Sequence, residues 1–259
     1  MSALRTVWHD ILLVWTFFTR IPAPHFTTDR KLSQALWALP LVPLVLVLGQ
    51  FIAMLLILGV FGWAPPLFFA VLLVAVPVVL TGGLHWDGWA DFCDGLGVGR
   101  ARRAEVIRDS SLGAFGALGL IFLLGFQVWA LAEILRLHMV GGPQPIAFTF
   151  LPLLFVTGLL SRCAMALAWA LVSGTDAHSQ VTRLGRPSAL LVGILTLFAG
   201  ALLVLTGLSL VPLLWLFMVL AGLLWFVRVT LGGMNGDGLG AIQVASETLI
   251  LVTLALARI

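Results

Sequence analysis

Apolar runs of roughly membrane-spanning length, separated by short breaks of glycine, proline or arginine, set the pattern of this chain. They cover residues 36–60, 67–80, 112–135, 146–172, 188–206, 210–227 and 241–256. Barrel strands would give short alternating segments instead, so runs this numerous and this apolar predict helices. The fold class expected is all-α, a polytopic membrane helical bundle of about seven transmembrane helices. Residues 4–19 come before the first run, and their uncharged part, 11–19, is too short to span. This stretch is expected to be an N-terminal interfacial helix, ended by Ile21-Pro22-Ala23-Pro24. The second run ends at Leu80, Thr81-Gly82-Gly83 marks a break or a close approach, and helix resumes to about Asp94.

Composition sharpens this picture. With 61% hydrophobic and 10% charged residues the chain is no soluble globule, and residues 1–259 are expected to form one integral membrane domain. No cleavable signal peptide is evident. The net charge of +3 is no nucleic-acid footprint: thirteen arginines accompany the single lysine, Lys31, and most lie at the ends of apolar runs. With a cytoplasmic N-terminus, eleven of these charges face inward: Arg5, Arg20, Arg30, Lys31, Arg100, Arg102, Arg103, Arg108, Arg183, Arg186 and Arg228. Only Arg136 and Arg258 face outward. This asymmetry gathers the acidic stretch, the 173–187 loop and the Gly-rich loop with Asp237 at the cytoplasmic face. Cys93 and Cys163 lack a CxxC partner and read as packing residues.

One polar stretch interrupts the apolar pattern. His85-Trp86-Asp87-Gly88-Trp89-Ala90-Asp91-Phe92-Cys93-Asp94-Gly95 holds three of the eleven acidic residues, and Glu105 and Asp109 follow closely. The i, i+4, i+7 spacing puts Asp87, Asp91 and Asp94 on one helix face. Like charges on one face repel and are costly to dehydrate. Something positive belongs among them, and a divalent metal held by oxygen ligands is the first candidate. Two bridged Mg²⁺ ions could clamp a diphosphate and stabilise its attacking and leaving oxygens. The three aspartates cover roughly 10 Å of helix axis, enough to reach both ends of such a clamp, with Glu105 and Asp109 closing from the next segment. Gly88 and Gly95 would let a neighbouring backbone or ligand come close. Arg100, Arg102, Arg103 and Arg108 suit phosphate oxygens.

Plainer readings stand beside these. The carboxylates can be a solvated helix end, and the arginines topology signals alone. His85 can be a ligand or a structural hydrogen-bonding residue. Arg162 and Glu247 lie inside apolar runs, where charge is functional by default. Glu133 and Arg136, at i, i+3, read as an interfacial pair, and Asp10, Asp29 and His138 as ordinary boundary residues.

At the acidic stretch the sequence resembles cobalamin synthase, the adenosylcobinamide-GDP ribazoletransferase family. Thr81-Gly82-Gly83 through Asp94-Gly95-Leu96 is similar to that family's central motif. Glu105-Val106-Ile107-Arg108-Asp109-Ser110 with Gly113 and Gly116 resembles the segment after it. Further matches are Phe18-Thr19-Arg20-Ile21-Pro22, Ser161-Arg162, and Arg228 through Gly232-Gly233, Gly236-Asp237 and Gly240-Ala241 to Glu247, so the resemblance runs the length of the chain. It departs at Ser111, where a basic residue is expected, at Asn235, where Thr is usual, and at Pro43, where Gly is common.

The resemblance implies a single catalytic membrane domain. In its reaction a ribose hydroxyl of α-ribazole, or of its 5′-phosphate, attacks the cobinamide-side phosphate of adenosylcobinamide-GDP, and GMP leaves. It implies Mg²⁺, expected as two ions, held by Asp87, Asp91, Asp94 and Asp109 with Glu105 assisting. Asp94 or Asp109 would take the acceptor's proton. His85, Arg100, Arg102, Arg103, Arg108, Ser110, Arg162, Asn235, Asp237 and Glu247 are the expected substrate-binding residues, and Asp237 and Glu247 are expected to face one cavity. An inner cell membrane, with the site toward the cytoplasm, follows from the same resemblance. The lipid bilayer is a partner, nucleic acid is not, and a homo-oligomer is compatible with the chain. Two other readings stay open: a CDP-alcohol phosphotransferase of phospholipid synthesis, disfavoured because Ala90 is followed by Asp91 rather than Arg, and a cation transporter with acids spread across the bilayer depth.

Overall fold

The computed structural model describes residues 3–99, 103–106, 111–138, 143–172, 174, 180–207, 211, 218, 220–222, 224 and 233–257, with the backbone alone at 104, 105, 143–149 and 180. Among the described residues every regular element is helical. Helix α1 is Ala3–Phe18, α2 Leu32–Ala35 with a 3₁₀ turn at Leu36–Ala38, and α3 Leu41–Phe61. Next come α4 Pro66–Thr81, α5 Leu84–Leu96, α6 Arg103–Val106 and α7 Ala114–His138. The chain continues with α8 Pro143–Leu171, α9 Gln180–Leu184, α10 Ala189–Leu205 and α11 Gly236–Leu256.

The chain is a multi-pass membrane protein. Helices α3, α7, α11 and the Phe150–Leu171 part of α8 are each long and apolar enough to cross a bilayer. Helices α4 and α5 could make a fifth crossing only as a pair bent by 93°. The structure thus offers four or five crossings among the described residues where about seven were expected. Helix α10 is shorter, at 17 residues, and the run 210–227 lies mostly outside the described residues.

The bend between α4 and α5 falls where the sequence predicts a break. Gly82 and Gly83 both take left-handed backbone angles, φ 66° and 72°, which a side chain would oppose. Their amides return to Val79 and Val78. The Arg20 amide donates to the Leu80 carbonyl at 2.7 Å, and the Arg20 side chain fills the space a Cβ on Gly82 would need. The 93° turn sets the acidic helix nearly perpendicular to α4.

There α5 packs chiefly on α11 and α7, and α11 in turn lies against α8. Trp86 Nε1 donates to Gln127 Oε1 at 3.2 Å and Trp89 Nε1 to the Gly119 carbonyl at 3.0 Å, tying α5 to α7. Pro43 packs on α8, where a Cβ on Gly158 would stand 3.0 Å from its ring. The small residue that makes room for this proline is therefore supplied by the opposing helix.

Other contacts draw the loops together. Gly174 and Met234 form a parallel backbone bridge between the 173–187 loop and the Gly-rich loop with Asp237, which charge patterning places on one side. Gly185, at φ 83°, sits against Ser33 and Lys31. Asp10, expected to be a plain boundary residue, is instead 2% exposed. It accepts bonds from Arg30 Nη2 and Trp37 Nε1, both at 2.8 Å, and pins α1 to the next segment. That hydrogen bond raises the Arg30 guanidinium above its ordinary pKa. Glu133 and Arg136 pair on the exposed face of α7 as their spacing predicts.

Candidate active site

Helix α5 starts from a left-handed glycine, and Asp87 in its first turn lies where the helix dipole favours negative charge. The three aspartates of its acidic face differ in depth: Asp87 is exposed, Asp91 half-buried and Asp94 buried. The deepest one has protein partners. Asp94 Oδ2 accepts the Gly113 amide at 2.8 Å and Oδ1 the Gly116 amide at 2.7 Å. These are amides at the start of α7, which no helical carbonyl can satisfy. A Cβ on either glycine would collide with the Asp94 carboxylate. Asp94 therefore clamps α7 to α5, a task that its place in the acidic pattern does not reveal.

The other two aspartates face α11. A Cβ on Gly88 would stand 2.6 Å from the Asp237 carbonyl oxygen, so α5 and the first turn of α11 meet at backbone contact there. The approach sets Asp237 beside Asp87 and Asp91. The charges acting on Asp91 are those of Asp237, Asp87 and Asp94. Among the described residues neither Asp87 nor Asp91 has a hydrogen-bonded or ion-paired cation. Among the described residues Asp237 receives only the Asn235 side-chain amide, at 3.0 Å. Asn235 is also the N-cap of α11, its Oδ1 accepting the Gly238 amide at 2.9 Å. Thr caps helices nearly as well as Asn, which accounts for the exchange noted at this position. Among the described residues no three His, Cys, Asp or Glu side chains already form a metal-binding group. Arg100, Arg102, Arg108, Asp109 and Ser110 lie outside the described residues, and of Glu105 only the backbone is described, in α6. Arg103 is described, and its Nε donates to the Val98 carbonyl at 3.3 Å.

Behind the carboxylates a cleft of about 70 Å³ opens between α1, α5, α8 and α11. Its aromatic side is Phe17, Phe18 and Trp169, and Asp87 and Asp237 lie on its lining as well. His85 reaches it at 2% exposure, with neither ring nitrogen hydrogen-bonded among the described residues. Trp169 lines the same cleft, and its indole nitrogen is buried without a partner among the described residues. Trp169 carries no charge and sits in an apolar run, so nothing in its surroundings along the chain singles it out.

Arg162 and Glu247 lie elsewhere. They line a separate interior cavity of about 30 Å³ with Gln50, Gln127 and Thr157, between α3, α4, α7, α8 and α11. Arg162, 2% exposed, donates from Nη1 to the Gly158 carbonyl at 2.9 Å and stands 3.9 Å from Glu247. Gln243 Nε2 reaches Glu247 Oε2 at 2.6 Å and Ser161 Oγ at 3.0 Å. The expectation of one cavity shared by Asp237 and Glu247 is corrected: ten helical positions separate them by roughly 15 Å along α11. Gln243, central to this network, also escaped the sequence reading.

The cobalamin-5-phosphate synthase family model matches residues 10–255 of this chain. The chain is 35% identical over 271 residues to the adenosylcobinamide-GDP ribazoletransferase of Sinorhizobium medicae (strain WSM419), covering 99% of this chain and 100% of that protein. It is 36% identical over 272 residues to the protein of the same name from Rhizobium meliloti (strain 1021), with the same coverage. That from Syntrophobacter fumaroxidans is 34% identical over 256 residues, 95% of this chain and 97% of its own. No solved structure matches.

Proposed function

The chain belongs to the cobalamin-5-phosphate synthase family, and from that membership we propose that it transfers the adenosylcobinamide phosphate of adenosylcobinamide-GDP to α-ribazole or its 5′-phosphate, releasing GMP. Membership makes it a transferase of cobalamin nucleotide-loop assembly. Mg²⁺ dependence, and a site open to the cytoplasm at an inner membrane, are parts of the proposal.

The observation that carries it is the meeting of Asp87, Asp91 and Asp237 around Gly88 with no paired cation among the described residues. Carboxylates gathered in this way fit a hard divalent ion that also binds substrate phosphates. Asp87 and Asp91 would hold it with Asp109 and Glu105, and Asp237 would join from α11. Asp94 would add the lone pairs that its two amide bonds leave free. Mg²⁺, as two ions, would offset the diphosphate charge and stabilise the attacking and leaving oxygens.

The arginines at 100, 102, 103 and 108 would orient the diphosphate through charge-assisted hydrogen bonds. The acceptor's ribose oxygen forms the new bond to the cobinamide-side phosphorus. The bond from that phosphorus to the GMP oxygen breaks, and GMP leaves with the electron pair. The hydroxyl proton passes to a carboxylate. Asp94 already accepts two amides, so of Asp94 and Asp109 we assign this step to Asp109.

The test is GMP release by the purified chain in lipid vesicles supplied with adenosylcobinamide-GDP and α-ribazole. Release that needs both Mg²⁺ and the acceptor is expected. No release, with turnover of CDP-diacylglycerol and an alcohol instead, would replace the proposal with the phospholipid reading. Cation flux without group transfer would replace it with the transporter reading.

A further inference from the structure

The interior cavity carries polar groups that neither the acidic site nor the Arg162–Glu247 contact uses. Gln50 Nε2 donates to the Leu73 carbonyl at 2.6 Å, the helical oxygen that Pro77 has no N–H to bond. Gln127 Oε1 is held by the Trp86 indole. A carbonyl partner orients the first amide and an N–H partner the second, so Gln50 Oε1 and Gln127 Nε2 are left over. Gln243 takes Glu247 Oε2 and leaves Oε1, and the Gly158 carbonyl takes Arg162 Nη1 and leaves Nη2. None of these leftover atoms has a partner among the described residues, yet none is sealed off as Thr157 Oγ1 and Arg162 Nε are. They stay accessible although Gln50, Gln127 and Arg162 are 6%, 3% and 2% exposed, and the cavity is the opening that these side chains and Glu247 share.

The leftover set is a pair of acceptors, Gln50 Oε1 and Glu247 Oε1, and a pair of donors, Gln127 Nε2 and Arg162 Nη2. A metal cation has no use for the donors and an anion none for the acceptors, and Arg162 and Glu247 balance each other's charge. A water molecule donates twice and accepts twice. The cavity's volume of about 30 Å³ has room for one or two waters at about 10–15 Å³ each. We propose that the cavity is a hydration site in which one or two water molecules bridge Gln50 and Gln127 to the Arg162–Glu247 pair. Through the Trp86–Gln127 bond the bridge ties the residue beside Asp87 to the interior network. It satisfies buried polar groups between the membrane-crossing helices α3, α7, α8 and α11, where apolar packing would leave them unpaired. The inference does not depend on which reaction the chain carries out.

The test is magnetisation transfer from water, followed by NMR on the full wild-type chain in lipid nanodiscs with its glutamines labelled with ¹⁵N. The Gln127 side-chain amide is expected to show contact with bound water. The Gln243 amide, also buried but bonded to Glu247 and Ser161, is the control expected to stay silent. Hydroxyl-radical labelling by X-ray pulses reads the same site on the same unaltered protein. Leu131 and Leu154 line the cavity, whereas Leu135 and Leu153 are buried on the same helices outside its lining. The first two are expected to be oxidised several-fold more than the second two. A Gln127 amide as silent as that of Gln243, or equal labelling of all these leucines, would mean a dry cavity and overturn the hydration site.

Discussion

Two charged regions interrupt this apolar bundle, and they are built on opposite principles. In the interior, Arg162 stands near Glu247, with Gln243, Ser161 and the Gly158 carbonyl completing a network between α8 and α11. At the first turn of α11, Asp87, Asp91 and Asp237 crowd together with no such compensation among the described residues. A buried charge left without its partner is strongly destabilising, so the interior network holds the fold. Like charges pressed together cost stability that an added cation would return, which is why the acidic site is the one proposed to bind. Both regions read as functional from sequence alone; their partners separate them.

The contrast breaks if Asp87 proves structural. Asp87→Ala is expected to lower turnover by about 10²–10³-fold, while thermal unfolding in detergent without divalent ions stays at or above the wild-type temperature. A clear fall in that temperature would put Asp87 in the other class. Glu247→Ala is expected to do the reverse first, costing about 3–5 kcal/mol by stranding Arg162, measured as a lower unfolding temperature and a lower yield of folded protein. Glu247→Gln should fall between the two.

Gly116→Ala sharpens the account of Asp94, because its methyl group meets the clamping carboxylate. A loss of about 1–3 kcal/mol is expected in unfolding experiments, with the Asp94→Ala, Gly116→Ala double variant less than additive. The smallest effect belongs to Asn235→Ala, about 1 kcal/mol for a lost N-cap, and Asn235→Thr should be close to neutral in the same assay.

What could be read ahead of the structure is local. The Thr81-Gly82-Gly83 break, the acidic face of α5, the close approach at Gly88 and the Glu133–Arg136 pair all follow from spacing within a few residues. What could not be read is pairing across the chain. The Asp94 clamp joins residues 19 and 22 positions apart, and Asp10 meets Arg30 and Trp37 at 20 and 27. No periodicity encodes such contacts. The same limit explains why Trp169 stayed hidden inside an apolar run.

The acidic face remains the centre of the account, its three aspartates differing by depth: Asp94 is buried and bonded to two amides at the start of α7, while Asp87 and Asp91 are the ones proposed to hold the metal. The most direct test is the turnover of Asp91→Ala protein in lipid, titrated with Mg²⁺ after folding is confirmed. A loss of about 10³-fold or more that added Mg²⁺ does not restore is the predicted result. Near-normal, Mg²⁺-dependent GMP release would contradict the assignment of this face as the metal-binding centre.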